Sequence, residues 1–230
     1  MCWFQRNTQL YNREWKSVKE NYPKLKFYTI KGKILILKGE IELKYNNQIL
    51  DKYNLEIFFP EDYPSNPPLL READERIPRI RDRHINKQGD CCLFPRIALK
   101  EIWDANPNIL YYINELVVPF FAHQSYFERY GEWKNKGYAH GAEGIIEFYK
   151  EKCNIDSIDI LVIMLQKLFN NEKIGRNDPC FCKSGKKLKR CHESIYDKLR
   201  NGANKEIFEK DIADLKQYIT DQSITTDKVF

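Results

Sequence analysis

The sequence predicts an α+β domain followed by a smaller metal-binding one, with the boundary near residues 153–157. Three observations predict it: stretches that alternate apolar and polar residues, helical apolar spacing on both sides of them, and a late cluster of three cysteines with a histidine. Residues 8–21, TQLYNREWKSVKEN, put Leu10, Trp15 and Val18 near helical spacing, and Tyr22-Pro23 stops the run. KFYTIKG, KILILKGEIELKYN and QILDKYNLEIFF follow, meeting at Gly32 and at Asn46-Asn47, both turn signals. They read as an antiparallel meander with one covered face. FPEDYPSNPPLL holds too much proline for a helix or a central strand and reads as a stiff extended loop. After the loop-rich DRHINKQGDCCLFPR, helical patterns return in NILYYINELVVPFFAHQSYFERYG, GAEGIIEFYKEKC, SIDILVIMLQKLFNN and NKEIFEKDIADLKQYIT.

A chain of 230 residues has room for one ordinary domain and an appendage, and its 42% apolar content supports a real core. No apolar run approaches the ~20 residues needed to span a bilayer. The N-terminal MCWFQRNTQLYNREW lacks the apolar stretch of a signal peptide. The expectation is a cytoplasmic protein without a membrane partner, whose seven cysteines are reduced thiols serving metal binding or chemistry. Residues 171–200 hold nine Lys or Arg against four Asp or Glu, a surplus equal to the net +5 of the whole chain. Attraction to anionic partners is therefore concentrated in that one segment.

GDCCLF sets Cys91 and Cys92 side by side, just after His84 and Asn86. A cysteine reacts as its thiolate, and Arg83, His84 and Arg96 bracket this stretch with donors or positive charge. Asn86 offers a side-chain amide able to stabilise an oxyanion on an acyl group held at the cysteine. These residues alone leave a second reading open, in which both cysteines are small core residues and Asn86 caps a turn.

The surroundings distinguish the two. LEIFFPEDYPSNPPLL, then HIN, then GDCCL, then IWDANPNILYYINELV resembles, in order, the ubiquitin-conjugating enzyme family over about residues 8–120. QSYFERYGEW and HGAEGIIEFY look like the bacterial branch of that family, found in anti-phage and ubiquitin-like conjugation operons. The resemblance implies a helix, a four-stranded antiparallel meander, a loop carrying the catalytic cysteine and C-terminal helices, over residues 1–153. It places Cys92 at the acyl-accepting position because Leu93 follows it, Cys91 at a buried aliphatic position, Asn86 at the motif asparagine and His84 at its usually structural histidine. Tyr63, Pro64, Pro67 and Pro68 match a supporting loop. Ile85 stands where the motif has proline, and the loop from Asn86 to Cys92 is shorter than in eukaryotic members. For the acidic residue that helps activate lysine in many members, only His123 and Glu128 offer themselves. The implied activity is transfer: an activating enzyme hands Cys92 the C-terminal glycine of a ubiquitin-like protein or of a cyclic-nucleotide synthase, and an amine then attacks the thioester.

GRNDPCFCKSGKKLKRCH places Cys180 and Cys182 two apart and Cys191 beside His192. Two tight pairs of such ligands joined by a short glycine-containing loop suit one structural zinc, with no open position for catalysis. A segment this small has almost no core, so metal binding is expected to supply its folding free energy. The stretch, within 174–192 of a second domain at 154–230, resembles the SEC-C zinc motif found at the C-terminus of the secretion ATPase. Phe181 and Lys183 depart from its usual proline and glycine. Lys186, Lys187, Lys189 and Arg190 form either a solvated face or a docking patch, which the resemblance directs to a protein or the ribosome. Two other expectations stand beside the carrier: a binding module that grips a C-terminal tail without chemistry, and an adaptor led by the zinc knuckle.

Overall fold

A computed structural model describes residues 2–134, 137–202 and 205–226, with side chains described as far as residue 223. The chain divides into two compact units. The first comprises residues 1–93 and 99–136, the second 94–98 and 137–230.

In the first unit, α1 (Trp3–Arg6) and α2 (Thr8–Asn21) precede the sheet, with Asn7 accepting the Leu10 N–H at 3.0 Å to cap α2. The inner face of α2 is Leu10, Glu14 and Val18, while Trp15, expected on it, is exposed. Glu14 is buried because its carboxylate accepts the Ile109 N–H at 3.1 Å, meeting an orphan donor at the start of a distant helix. Burial raises that carboxyl above its ordinary value although the Ile109 N–H pulls it down.

Strands β1 (Leu25–Ile30), β2 (Ile34–Tyr45), β3 (Gln48–Phe58) and β4 (Leu69–Glu72) form an antiparallel sheet in chain order. The fourth strand begins on the last two residues of the proline-rich stretch expected to be loop throughout. Period-two alternation buries Leu35, Leu37, Ile41 and Leu43 on β2 and Tyr53, Leu55 and Ile57 on β3. Gly39 sits in register with Leu25, where a Cβ would stand 2.1 Å from the Lys24 carbonyl oxygen, so no larger residue fits.

Behind the sheet, α3 (Arg96–Ala105) leads to α4 (Ile109–Tyr112), which runs through a wider π turn (Ile113–Val117) into α5 (Val118–Tyr130). Phe121 of α5 stacks on Tyr53 at 4.5 Å between ring centroids. Trp103 Nε1 donates to the Pro64 carbonyl at 2.7 Å and the Tyr112 hydroxyl to that of Pro68 at 2.9 Å, pinning the proline loop.

The second unit is built from α6 (Ala142–Cys153), α7 (Ile158–Phe169), α8 (Glu193–Gly202) and α9 (Lys205–Thr226). The expected boundary at 153/154 moves to 136/137. The physical reason is that Ile145, Phe148 and Tyr149 of α6 are buried with Leu161, Met164 and Leu165 of α7 and with Phe208 and Leu215 of α9. The first turn of α3 also belongs here: Ile97 and Ala98 join that core, and Arg96 pairs with Asp211 at 2.8 Å and Asp214 at 2.8 Å. Among the described residues no helix is long and apolar enough to cross a membrane.

Candidate functional site

The chain around Cys91 and Cys92 is a short hairpin laid against β4. Asp90 bridges Arg71 of β4, and the Cys91 N–H donates to the Leu70 carbonyl at 2.8 Å. On its other side Cys91 bridges Ile85, the Cys92 N–H donates to the His84 carbonyl at 2.8 Å, and the Asn86 N–H to the Asp90 carbonyl at 2.9 Å. Gly89 closes the tip with φ of 89°, a conformation costly for a residue with a side chain.

Alternation along this extended piece separates the two thiols. Cys91 is buried, 8% exposed, level with the buried Leu70 and Ile85, and burial pushes its thiol far above the ordinary range. Cys92 is half-buried on the other face. Parity puts His84, Asn86 and Asp90 on that same face, with Arg71 opposite Asp90 and bonded to its carboxylate at 2.7 Å.

Asn86 is exposed, and its backbone N–H and C=O are both taken up in the turn. His84 is half-buried with a left-handed backbone, φ 54°, and its ring meets Trp133 edge-on at 5.9 Å. Tyr63 and Pro64 lie away from this hairpin's hydrogen bonds and serve packing. Tyr63 is 3% exposed, between Trp3 at 4.5 Å and Phe59 at 4.9 Å. Arg83, expected from the sequence as a source of charge near the cysteine, is instead buried. Its Nε donates to Gln124 Oε1 at 2.9 Å, and Gln124 Nε2 returns a bond to the Arg83 carbonyl at 2.8 Å. Glu128 is held by Arg76 at 2.6 Å and Arg83 at 3.5 Å, whereas His123 is exposed on α5.

The late cluster is a second hairpin. Pro179 bridges Lys187, the Cys180 N–H donates to the Lys186 carbonyl at 2.9 Å, and Lys183 takes up the left-handed turn conformation at φ 59°. Glycine, which the resemblance leads one to expect at this position, adopts that conformation at no steric cost. Ligand atoms of Cys180, Cys182, Cys191 and His192 all lie within 4.8 Å of one another. His192 Nδ1 stands 3.2 Å from Cys180 Sγ and 3.1 Å from Cys191 Sγ, and the sulfurs of Cys182 and Cys191 are 3.5 Å apart. A tetrahedron with metal–ligand bonds of 2.0–2.3 Å has edges of about 3.3–3.8 Å, so a cluster of four such donors within 4.8 Å of one another is of the size that one such ion needs. His192 Nε2 bonds the Cys153 carbonyl at 2.8 Å, which turns Nδ1 toward the sulfurs in the way outer partners orient metal-bound histidines.

The expectation of a knuckle with almost no core is corrected here. Cys180, Phe181 and Leu188 are buried in the helical core of the second unit, and Phe181 packs on His192 at 5.2 Å and Tyr196 at 5.6 Å. Sequence reasoning missed α8, though Ile195, Tyr196 and Leu199 at one-turn spacing signal it. Lys186, Lys187, Lys189 and Arg190 are all exposed.

Comparison with known proteins agrees for this second site. The family model for the SEC-C motif matches residues 176–194. Residues 176–194 form a SEC-C motif. The chain is 67% identical over 27 residues to protein translocase subunit SecA of Koribacter versatilis, covering 12% of this chain and 3% of that one. It is 77% identical over 25 residues to SecA of Nitrosomonas europaea, covering 11% and 3%. The chain thus spans only a small fraction of the translocase's length. Solved structures similar to the chain include the yeast vps23 UEV domain in complex with a vps27 PSDP peptide, with a TM-score of 0.36, 16% identity, and coverage of 50% of this chain and 80% of that one. A complex of the Vps23 UEV with ubiquitin gives 0.33 and 17%, covering 56% and 86%. Both scores are too low to assign a fold.

Proposed function

We propose that the first unit is an acyl carrier of the ubiquitin-conjugating type. Cys92 accepts the C-terminal glycine of a partner protein as a thioester, and an amine then takes it. The observation that carries this reading is the separation of the two thiols: one hairpin buries Cys91 and presents Cys92 on the face that also holds Asn86. A thiol open to a partner reacts, and one sealed in apolar surroundings does not. Asn86 donates its side-chain amide to the oxyanion of the tetrahedral intermediate. Following the family resemblance, the donor is an activating enzyme and the cargo is the tail of a ubiquitin-like protein or of a cyclic-nucleotide synthase, in bacterial anti-phage defence within the cytoplasm.

In the second unit, Cys180, Cys182, Cys191 and His192 hold one structural zinc. The donor set is right for it, and four protein ligands leave the ion no catalytic position. The exposed basic residues of this knuckle are its docking patch, for a protein or the ribosome.

A second reading of the first unit is a binding module that grips a C-terminal tail without chemistry. It is favoured by Glu128, a candidate acid, being engaged by Arg76 and Arg83. Incubating the chain with the products of its neighbouring genes and ATP separates the two. A thiol-sensitive mass increase on this chain supports the carrier. Tail binding with no covalent adduct supports the module.

A further inference from the structure

We propose that His84 accepts the proton of the Cys92 thiol, so that the two act as a cysteine–histidine pair in place of the purely structural role the resemblance gives this histidine. The proposal rests on the thioester reading and deepens it.

The pairing is built by the backbone. The Cys92 N–H donates to the His84 carbonyl at 2.8 Å, which sets the two residues opposite each other in the hairpin, and opposed side chains share a face. A ring nitrogen of His84 and Cys92 Sγ accordingly lie within 4.8 Å. One water spans such a gap, and nucleophile–base distances are commonly looser before substrate binds. The backbone of His84 is held in place from both sides. Its left-handed φ of 54° ends the single 3-10 turn Arg81–Arg83, and that turn is clamped by the reciprocal bonds between Arg83 and Gln124. Backbone conformations unusual for a residue with a side chain persist where the surroundings over-determine them, and they cluster at functional sites.

The electrostatics suit a base. Burial lowers the imidazole below its ordinary value, with Asp82 raising it by less, so the ring is neutral at pH 7, the form that can take a proton. Two flanking charges are committed elsewhere: the Arg83 guanidinium to Gln124 and Glu128, and the Asp90 carboxylate to Arg71.

The step balances with one co-reactant, a protein C-terminal glycine held as a thioester on the activating enzyme. His84 takes the Cys92 proton, and the Sγ electron pair adds to the thioester carbonyl carbon. The bond from that carbon to the departing sulfur then breaks, and the imidazole returns the proton to the departing thiolate.

The test is the pH dependence of Cys92 alkylation by iodoacetamide, mapped by peptide mass spectrometry, in the wild-type chain and in His84→Asn. Asparagine tolerates the left-handed backbone, so this variant removes the base and keeps the turn. The wild-type rate is expected to rise in two steps, the first with the imidazole and the second with the thiol. His84→Asn should keep only the second step and lose at least about tenfold at pH 7. Superimposable profiles would overturn the pair. If His84→Asn does not fold, the NMR titration of His84 in wild type and in Cys92→Ala decides the same point. A displaced midpoint supports the pair, and an unchanged one overturns it. Alkylation needs no conjugation partner. A two-step profile in a chain that never accepts a protein tail would therefore refute the thioester reading and leave the pair standing.

Discussion

The cysteines at 91 and 92 and those at 180, 182 and 191 are the same residue used in two ways. In the knuckle, two hairpin arms only nine residues apart bring three thiols and His192 to one point, so local spacing specifies the site. At the first site the environment of each thiol is set by register. Cys91 is buried because Leu70 and Ile85 flank it in neighbouring extended segments, and Cys92 is half-exposed because it is one residue further on. A cluster of ligands can be read from a short string, whereas the exposure of a thiol is set by the strand it is laid against.

The largest effect that would break this contrast is loss of the metal. Cys182→Ser should release the zinc, and structural zinc contributes on the order of 10 kcal/mol to the folding of small motifs. Because Phe181 and Leu188 are part of the helical core, the loss should lower the melting temperature of the whole second unit while the sheet-containing unit keeps its own transition. Metal analysis and two-transition calorimetry check this; stoichiometric zinc in the variant would overturn the ligand set.

Next in size is Asn86→Ala. If the amide stabilises the oxyanion, discharge of a charged Cys92 to an amine should slow on the order of 100-fold, with loading less affected. Discharge at the wild-type rate would mean that Asn86, whose backbone is tied into the turn, serves the hairpin alone.

Cys91→Ser separates the two thiols of the first site. It should leave Cys92 loading intact and cost roughly 1–3 kcal/mol of stability, the penalty for a buried hydroxyl without a partner. Denaturant unfolding reads it, and a neutral substitution would argue against a sealed Cys91.

The two units should also answer pH with opposite signs. Burial pushes the Asp211 carboxyl up to about 6 even with Arg96 at 2.8 Å. A folded-state value above the unfolded ~3.9 means that its contribution is full below about pH 4 and is lost as pH rises through about 6. Hydrogen bonds from Arg76 hold Asp51 in the first unit down at about 2, so its contribution is present above about pH 4 and lost as pH falls through about 2. Asp211→Asn should flatten the second unit's melting temperature between pH 4 and 6. An unaltered slope in the variant would remove Asp211 as the cause.

Much of the fold was legible. The helix at 8–21 and the strand pattern of β2 and β3 follow from periods of 3.6 and 2 in the sequence. Glu14 was not legible as an inner residue, because its burial depends on a backbone N–H 95 residues away. Arg83 likewise looked like charge near a thiol until its amide partner on α5 was placed. The boundary differs because the apolar face of α6 is buried with α7 and α9, which sequence spacing along α6 alone does not reveal. The opposition of His84 and Cys92 needed the register of a hairpin whose turn, NKQG, does not fix a pairing by composition alone.

In the proposed carrier, register and not residue type selects which thiol takes the acyl group, and locating the adduct on one of the two cysteines decides the point. The chain is incubated with the products of its neighbouring genes and ATP, digested without reductant, and the modified peptide is fragmented between residues 91 and 92. A thiol-sensitive adduct on Cys92, absent in Cys92→Ala and present in Cys91→Ser, is the expected result. An adduct on Cys91 would overturn this register, and with it the roles given to Asn86 and His84.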